Sequence, residues 1–185
     1  NGDGVLDEKD YVYLGSDDPK ISYSFNLGLE WNNFDFSAVF QGVAKRTIFR
    51  DSSNDNYRIP MKAAHLNSTT QSVGDVWSPE NRGGRYPTYT NINSINDYNY
   101  QCSSWSVENG NYLRLKSLTL GYNFPASLLS KTKAISRLRI YVSGADLWEV
   151  SKINDGWDPE ASRKVSGNGR FPFNRTCTVG LDVTF

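Results

Sequence analysis

The sequence predicts an all-β chain: an antiparallel segment of a transmembrane β-barrel with long extracellular loops. Three observations predict it. Apolar residues recur at every second position over runs of about 10–13 residues, the period of a strand with two unlike faces. Short and long connections alternate along the chain, as they do in outer-membrane barrels with short periplasmic turns and long external loops. Aromatic residues (Trp31, Phe34, Phe124, Trp148 and Phe185) stand at strand ends, where a membrane girdle lies.

Composition excludes several other classes. The chain has 185 residues, with 20 basic and 20 acidic side chains. A balanced charge argues against a nucleic-acid partner, which calls for a basic excess. Mean hydropathy is −0.57, and no apolar run is long enough for a transmembrane helix. That average is blind to a barrel, in which only alternate residues of each strand meet lipid. The sequence opens without a charged-then-apolar leader. Two cysteines, Cys102 and Cys177, make neither a disulfide scaffold nor a zinc cluster, and a single histidine, His65, leaves little for histidine catalysis. The 11 Tyr, 9 Phe and 5 Trp, with plentiful Gly, Asn, Ser and Thr, are the vocabulary of strands and turns.

The first strand is expected from Ile21 to Trp31, where Ile21, Tyr23, Phe25, Leu27, Leu29 and Trp31 alternate with Ser22, Ser24, Asn26, Gly28 and Glu30. Asn32-Asn33 supplies a two-residue turn that tolerates positive φ. Phe34, Phe36, Ala38 and Phe40 then carry the alternation back, so residues 20–44 read as one long hairpin. A second ribbon spans 112–124. Its apolar phase moves from Leu113 and Leu115 to Leu118, Leu120 and Tyr122, which requires a bulge near Ser117. Pro125 ends it, and residues 125–136 have room for a short helical turn. Leu138, Ile140 and Val142 open the next strand, which runs to about Trp148. The last strand is expected over 175–185, with Cys177, Val179, Leu181, Val183 and Phe185 on one side. Residues 45–111 and 149–173 show no sustained period and read as long loops.

Five strands do not close a barrel, and an open sheet of five leaves two bare edges. The chain therefore reads as the carboxyl-terminal part of a larger protein. Its opening residues agree. Asn1, Asp3, Val5 (through its carbonyl), Asp7 and Asp10 fit positions 3, 5, 7, 9 and 12 of a calcium loop, with Gly4 at the sharp turn. Oxygen ligands at alternating positions let one turn of backbone wrap a hard cation. Positions 1 and 2 would precede residue 1, and Asp10 stands where a bidentate Glu is usual. The alternative is a tight Asn-Gly/Asp-Gly turn without metal. Residues 1–19 are thus read as an external loop with a truncated EF-hand-like Ca²⁺ site, and 20–185 as barrel strands and loops.

Several blocks in order resemble one family. They are the NGDG start, LGSDDP (14–19), WNNFDFSAVFQG (31–42), WSPEN (77–81) with RYP (85–87), NYLRLKSLTLGYNFP (111–125), LRIYVSGADLW (138–148), WDPE (157–160) and TVGLDVTF (178–185). Together they resemble the carboxyl-terminal part of SusC/RagA-type TonB-dependent outer-membrane transporters. One departure is Asp146, where the family usually has Asn. The resemblance implies a barrel of roughly 22 strands with a plugged lumen, of which these residues form about the last five. It implies import of oligosaccharides or peptides, a SusD-like surface lipoprotein as lid, and TonB acting through a plug outside this chain. It places Phe185 at the periplasmic rim, the turns 32–33 and 125–136 in the periplasm, and 1–19, 45–111 and 149–173 outside the cell.

Four loop aromatics, Trp77, Tyr86, Trp105 and Trp157, are candidates to contact cargo or lid, the alternative being that they fold the loops onto themselves. Arg114, Lys116, Arg139, Asp35, Glu30 and Asp182 belong to the polar side and are expected to pair with one another or with the plug. Asp155, Asp158 and Glu160 lie close enough to mimic a glycosidase pair, but Asp158-Pro159 is itself a turn signal. No enzyme is expected. Cys177 is expected to face lipid, and Phe185 to carry an assembly signal. A competing reading is a secreted calcium-dependent carbohydrate-binding β-sandwich, which requires the apolar sides to be buried in a dry two-sheet core; another is an adhesin-like surface protein.

Overall fold

Two asparagines set the first ribbon. Asn32 and Asn33 adopt φ of 46° and 73°, the left-handed pair that a tight hairpin needs and that asparagine tolerates. They join β1 (Ile21–Trp31) to β2 (Phe34–Ala44) in unbroken antiparallel register, from Trp31 opposite Phe34 to Ile21 opposite Ala44. The computed structural model describes residues 2–5, 7–49, 74–88, 90–101, 103–131, 134–153, 158–160 and 174–185. Asn1, His65, Cys102, Asp155 and Trp157 lie outside them.

The described residues fall into two compact units, one drawn from 1–18 and 46–109 and the other from 19–45, 110–160 and 169–185. The second unit is a five-stranded antiparallel sheet. Beyond β2 come β5 (Tyr112–Asn123), β6 (Arg137–Ser151) and β7 (Thr176–Thr184), in the order β1-β2-β5-β6-β7. Within the sheet, neighbours in space are successive strands, the meander of an up-and-down barrel wall. A four-residue helix, α2 (Ala126–Leu129), follows Pro125 as the spacing predicted. The expected bulge is at Lys116: Leu115 and Ser117 keep partners in β2 and β6, while Lys116 has none in either register.

Register carries one chemistry across all five strands. Leu27 lies opposite Ala38, Ala38 opposite Leu118, and Leu118 opposite Gly144, which faces Cys177. Likewise Leu29, Phe36, Leu120, Val142 and Val179 form a row. The other face holds Gly28, Ser37, Thr119, Ser143 and Thr178 in the adjoining row. The apolar face is bare. In β6 the apolar Ile140, Val142, Trp148 and Val150 are exposed, while Tyr141, Ser143, Ala145 and Glu149 between them are half-buried. This inverts the burial pattern of a soluble sheet and fits a wall whose apolar side meets hydrocarbon. The buried apolar residues among those described are seven: Ala38, Val43, Ile48, Tyr100, Tyr112, Leu129 and Ile153. They do not cover the exposed Phe25, Leu27, Leu120, Val142 and Leu181, so the described residues do not form the dry core required by a sandwich. Among the described residues no helix is long and apolar enough to cross a membrane; strands of 9 to 15 residues are long enough to do so when tilted.

One aromatic is placed differently from expectation. Trp148 is not at a strand end, because β6 continues three residues further to Ser151; Trp148 pairs with Leu115, next to the bulge. The turn-end aromatics do cluster. Trp31 faces Phe34, whose ring centroid lies 4.8 Å from Tyr122, and Tyr122 is 5.2 Å from Phe124.

The first unit contains structure that period alone did not reveal. A short ladder pairs β3 (Thr47–Phe49) with β4 (Val107–Asn109), and α1 spans Asn93–Asn99. The amino-terminal segment joins this unit through Thr47 N–H, which donates to the Ser16 carbonyl at 2.7 Å, and Arg46 Nε, which donates to the Asp17 carbonyl at 2.9 Å.

Candidate functional site

The polar face of the sheet carries two ion networks, one near each end of the strands. At the hairpin end, Arg139 on β6 grips Asp35 on β2 with two bonds, Nη2–Oδ1 at 2.6 Å and Nε–Oδ2 at 2.9 Å. A planar guanidinium matches a carboxylate in this way, so the contact fixes geometry as well as charge. Asn123 on β5 donates to the same Asp35 at 2.9 Å, and Arg139 Nη1 reaches Asp182 on β7 at 3.1 Å. Gly121 makes the crossing feasible: a Cβ there would lie within 2.6 Å of side-chain atoms of both Asp35 and Arg139. Arg139 thus ties three strands, and Asn123 joins the fourth to them through Asp35.

At the opposite end the network centres on Arg114, whose side chain is fully buried although it is charged. Its Nη2 lies 2.6 Å from Glu149 Oε2 and also binds Asp158; its Nη1 lies 2.8 Å from Glu160 Oε2. The Tyr112 ring sits 5.5 Å from the guanidinium carbon. The bulge brings Lys116 to the same place, 2.6 Å from Glu160 and 3.2 Å from Asp146. Two cations therefore meet four carboxylates. Asp158 also accepts the Glu160 N–H at 2.9 Å, and Pro159 between them is fully buried. The segment after β6 is pinned to the polar face by its own acidic pair. With both carboxylates bound to cations, these residues form an anchor and not an acid–base pair separated for hydrolysis.

In the loop unit, Asn81 Nδ2 donates to the Gly74 and Val76 carbonyls at 2.8 and 3.1 Å, and Val76 bridges Tyr86. Arg85 pairs with Glu108 on β4. Burial works against the Arg85 charge, but the Glu108 hydrogen bond and neighbouring charges outweigh it and raise its pKa above the ordinary arginine value. Trp105 is held edge-on between Tyr86 and Tyr100, at centroid distances of 6.3 and 5.8 Å. A cleft of about 1110 Å³ opens beside it, with Tyr11, Tyr13 and Tyr98 on its walls.

Known proteins resemble the chain in sequence and fold. No family model matches the chain. All of it aligns at 31% identity with a TonB-dependent receptor, P26, of Formosa agariphila, and at 30% with another, P3, of the same organism. It aligns at 21% with the TonB-dependent receptor SusC of Bacteroides thetaiotaomicron. The chain spans 17–19% of the length of these curated relatives. In solved structures, 92% of it superposes on 18% of a chain of the RagAB peptide importer in its open-open state, with TM-score 0.70 and 25% identity. The closed-closed state gives 0.70 over 99% of the chain at 23% identity.

Over its whole length the chain is similar to SusC/RagA-type TonB-dependent transporters of the outer membrane.

The structure of this segment places the residues singled out by sequence in unlike settings. Tyr86 and Trp105 meet, and their contact folds the loop unit; Trp77 is exposed, its N–H bonded to the Tyr86 carbonyl at 2.8 Å. Trp157 lies outside the described residues. In the amino-terminal loop, Asp3 accepts the Val5 N–H at 2.8 Å, Asp7 accepts Lys9 N–H at 2.8 Å, and Asp10 accepts Asp7 N–H at 3.2 Å. Asp7 and Asp10 thereby form a capping box around the 3-10 turn Glu8–Asp10. Among the described residues no group of three or more His, Cys, Asp or Glu side chains converges on one point; Asn1, the first of the expected ligands, lies outside the described residues. Phe185 is 87% exposed beyond the end of β7. Cys177 is a free, exposed thiol on the apolar face.

The Arg114 centre is the site that sequence reading did not assemble. Its members stood apart as a polar-face arginine and lysine in one block and two loop acids in another. Their signal was that both blocks, NYLRLKS and WDPE, belong to the family resemblance and carry opposite charge.

Proposed function

We propose that the protein containing this segment imports oligomeric nutrients, oligosaccharides or peptides, across the outer membrane with energy delivered through TonB and under a SusD-like lipoprotein lid. The observation that carries this reading is the two-faced sheet: one side bare and apolar over five strands, the other polar and cross-braced by arginines. A wall of that kind suits hydrocarbon outside and a wet, plugged interior. In this reading the five strands supply wall and the 45–111 and 149–173 connections supply external loops. The Arg139 and Arg114 networks stiffen the inner surface where a plug would slide past it. The names of the relatives support a receptor or importer, and the RagAB structures support a two-component assembly.

The test uses the full-length protein in its own bacterium. An affinity tag on the transporter should bring down a surface lipoprotein encoded beside it, and the transporter should leave the outer-membrane fraction only with detergent. Deleting its gene should abolish growth on one polymeric nutrient while growth on the monomer continues. A full-length product released in soluble form without detergent, or growth unchanged on every polymer the parent strain uses, would refute the proposal.

A further inference from the structure

Among the described residues, the buried Arg114 centre holds more negative than positive charge, and the surplus sits on one short segment. Arg114 and Lys116 belong to β5, Asp146 and Glu149 to β6. These four make two complete pairs within the sheet. Arg114 lies opposite Glu149 in the register and donates to its Oε2 from Nε at 3.1 Å and from Nη2 at 2.6 Å. Lys116 Nζ stands 3.2 Å from Asp146 Oδ1. Asp158 and Glu160 come from outside the sheet. They bring two further carboxylates to cations that already have partners.

Asp146 bears the consequence of that surplus. Its Oδ1 is buried and has no hydrogen-bond partner among the described residues, although the Lys116 ammonium is close. The ammonium bonds instead to Glu160, at 2.6 Å. A buried acceptor without a donor is destabilising, and like charges gathered in one place repel. Against both stand the contacts of Asp158 and Glu160 and the burial of Pro159 between them. Departure of residues 158–160 removes two negative charges, lets Lys116 turn to Asp146 and strands neither cation. Breaking a buried ion pair ordinarily strands a charge; here the sheet holds a replacement for each bond lost. Asparagine at 146, which the family resemblance leads one to expect, would offer Lys116 no such charge.

We propose that residues 158–160 form a releasable clip on the polar face of the sheet: seated, they hold Arg114 and Lys116; released, they leave Arg114 with Glu149 and Lys116 with Asp146. The chain after β6 can then leave the wall and return to it while the wall itself stays intact. The clip depends on the pairing of β5 with β6 and not on any cargo, so loss of the importer reading would leave it standing. The alternative is a permanent brace, in which all four carboxylates are needed to hold the two cations.

The experiment is hydrogen exchange read by mass spectrometry on the full-length transporter in detergent. It follows the Glu160 amide, which in the seated clip donates to Asp158 at 2.9 Å. Where exchange proceeds through local opening, its rate reports the open population. Asp146→Asn removes the charge to which Lys116 turns on release, so opening becomes harder and the Glu160 amide should exchange about tenfold more slowly. In a permanent brace the same change removes a member of the network, and exchange would quicken or stay as it was; either result overturns the clip. A second variant, Asp158→Ala/Glu160→Ala, is read by urea unfolding. Its midpoint should equal or exceed the parent's, since the sheet keeps both of its own pairs and sheds the surplus charge. A lowered midpoint, or failure to form a folded barrel, overturns the proposal. So does exchange at Glu160 that occurs only together with that of β5 and β6, because the clip must open while the sheet stays closed.

Discussion

Asp146 sits in β6 at a φ of 56°, a conformation that costs most L-residues about 1–2 kcal/mol and that Asn and Asp tolerate best. The requirement arises at the bulge, where Asp146 and Leu147 together oppose the single Lys116. Asparagine, which the family resemblance leads one to expect here, tolerates the same conformation. Asp146→Val should destabilise the full-length barrel by at least about 1–2 kcal/mol through backbone strain, with loss of the Lys116 contact added, and Asp146→Asn should cost much less; urea unfolding followed by heat-modifiable gel mobility reads both. Arg114 makes a stronger case. Removing one partner of a buried ion pair costs about 3–5 kcal/mol, because the remaining charge is stranded. Glu149, Asp158 and Glu160 are 18–30% exposed, so water recovers part of that, and Arg114→Ala should fall at or below the lower end. Protease cutting near residues 158–160 should rise with it, whereas Asp158→Asn, which keeps an acceptor for the guanidinium, should leave cutting near the parent level. The polar-face arginines were legible one at a time as members of an alternation. Their partners were not, because Arg114 and Glu160 are brought together only once β5 and β6 are paired.

Among elements, the five long strands were legible because hydrocarbon on one side and water on the other impose opposite chemistry on successive residues. Even the bulge could be read, since inserting Lys116 moves Leu118, Leu120 and Tyr122 to even positions while keeping them on the apolar face. The ladder of β3 and β4 was not legible: each strand has three residues, too few for a period, and their pairing spans the whole long loop. Helix α1 was hidden for another reason. Its sequence NSINDYN has Ile95 as its one aliphatic residue, too little for a helical period, and its N-cap position is Ile92, which offers no side-chain cap. The two faces of β1 give a paired test. Leu27 lies on the apolar face near mid-strand, and its neighbour Asn26 points to the opposite side. An arginine on the lipid face at mid-membrane costs about 2–4 kcal/mol, while a polar-face arginine stays in a wet setting. Leu27→Arg should therefore lower the yield of folded full-length transporter in lipid vesicles and shift its denaturation midpoint by that amount; Asn26→Arg should change neither. Equal penalties for the two would show that β1 does not divide lipid from water.

For the whole molecule, the decisive quantity is the apolar area left without protein cover. Leu29, Trp31, Val179 and Leu181 are all more than half exposed, on the two outermost strands of the sheet. Each fully buried side chain of this size contributes about 1.5–3 kcal/mol when taken out of water. In water the bare face forfeits that gain over the breadth of the sheet, and β1 and β7 each offer an unpaired edge to other chains. Residues 1–185 expressed alone in the cytoplasm should accumulate as insoluble material. Detergent should disperse it with much of its strand content retained, as circular dichroism would register. A sandwich domain would do the opposite, since its apolar sides would be covered: it would purify in buffer as a monomer and unfold in one cooperative step. Size-exclusion chromatography of the 185-residue chain with and without detergent separates the two outcomes, and a stable monomer in plain buffer would remove the basis for placing this sheet in a membrane.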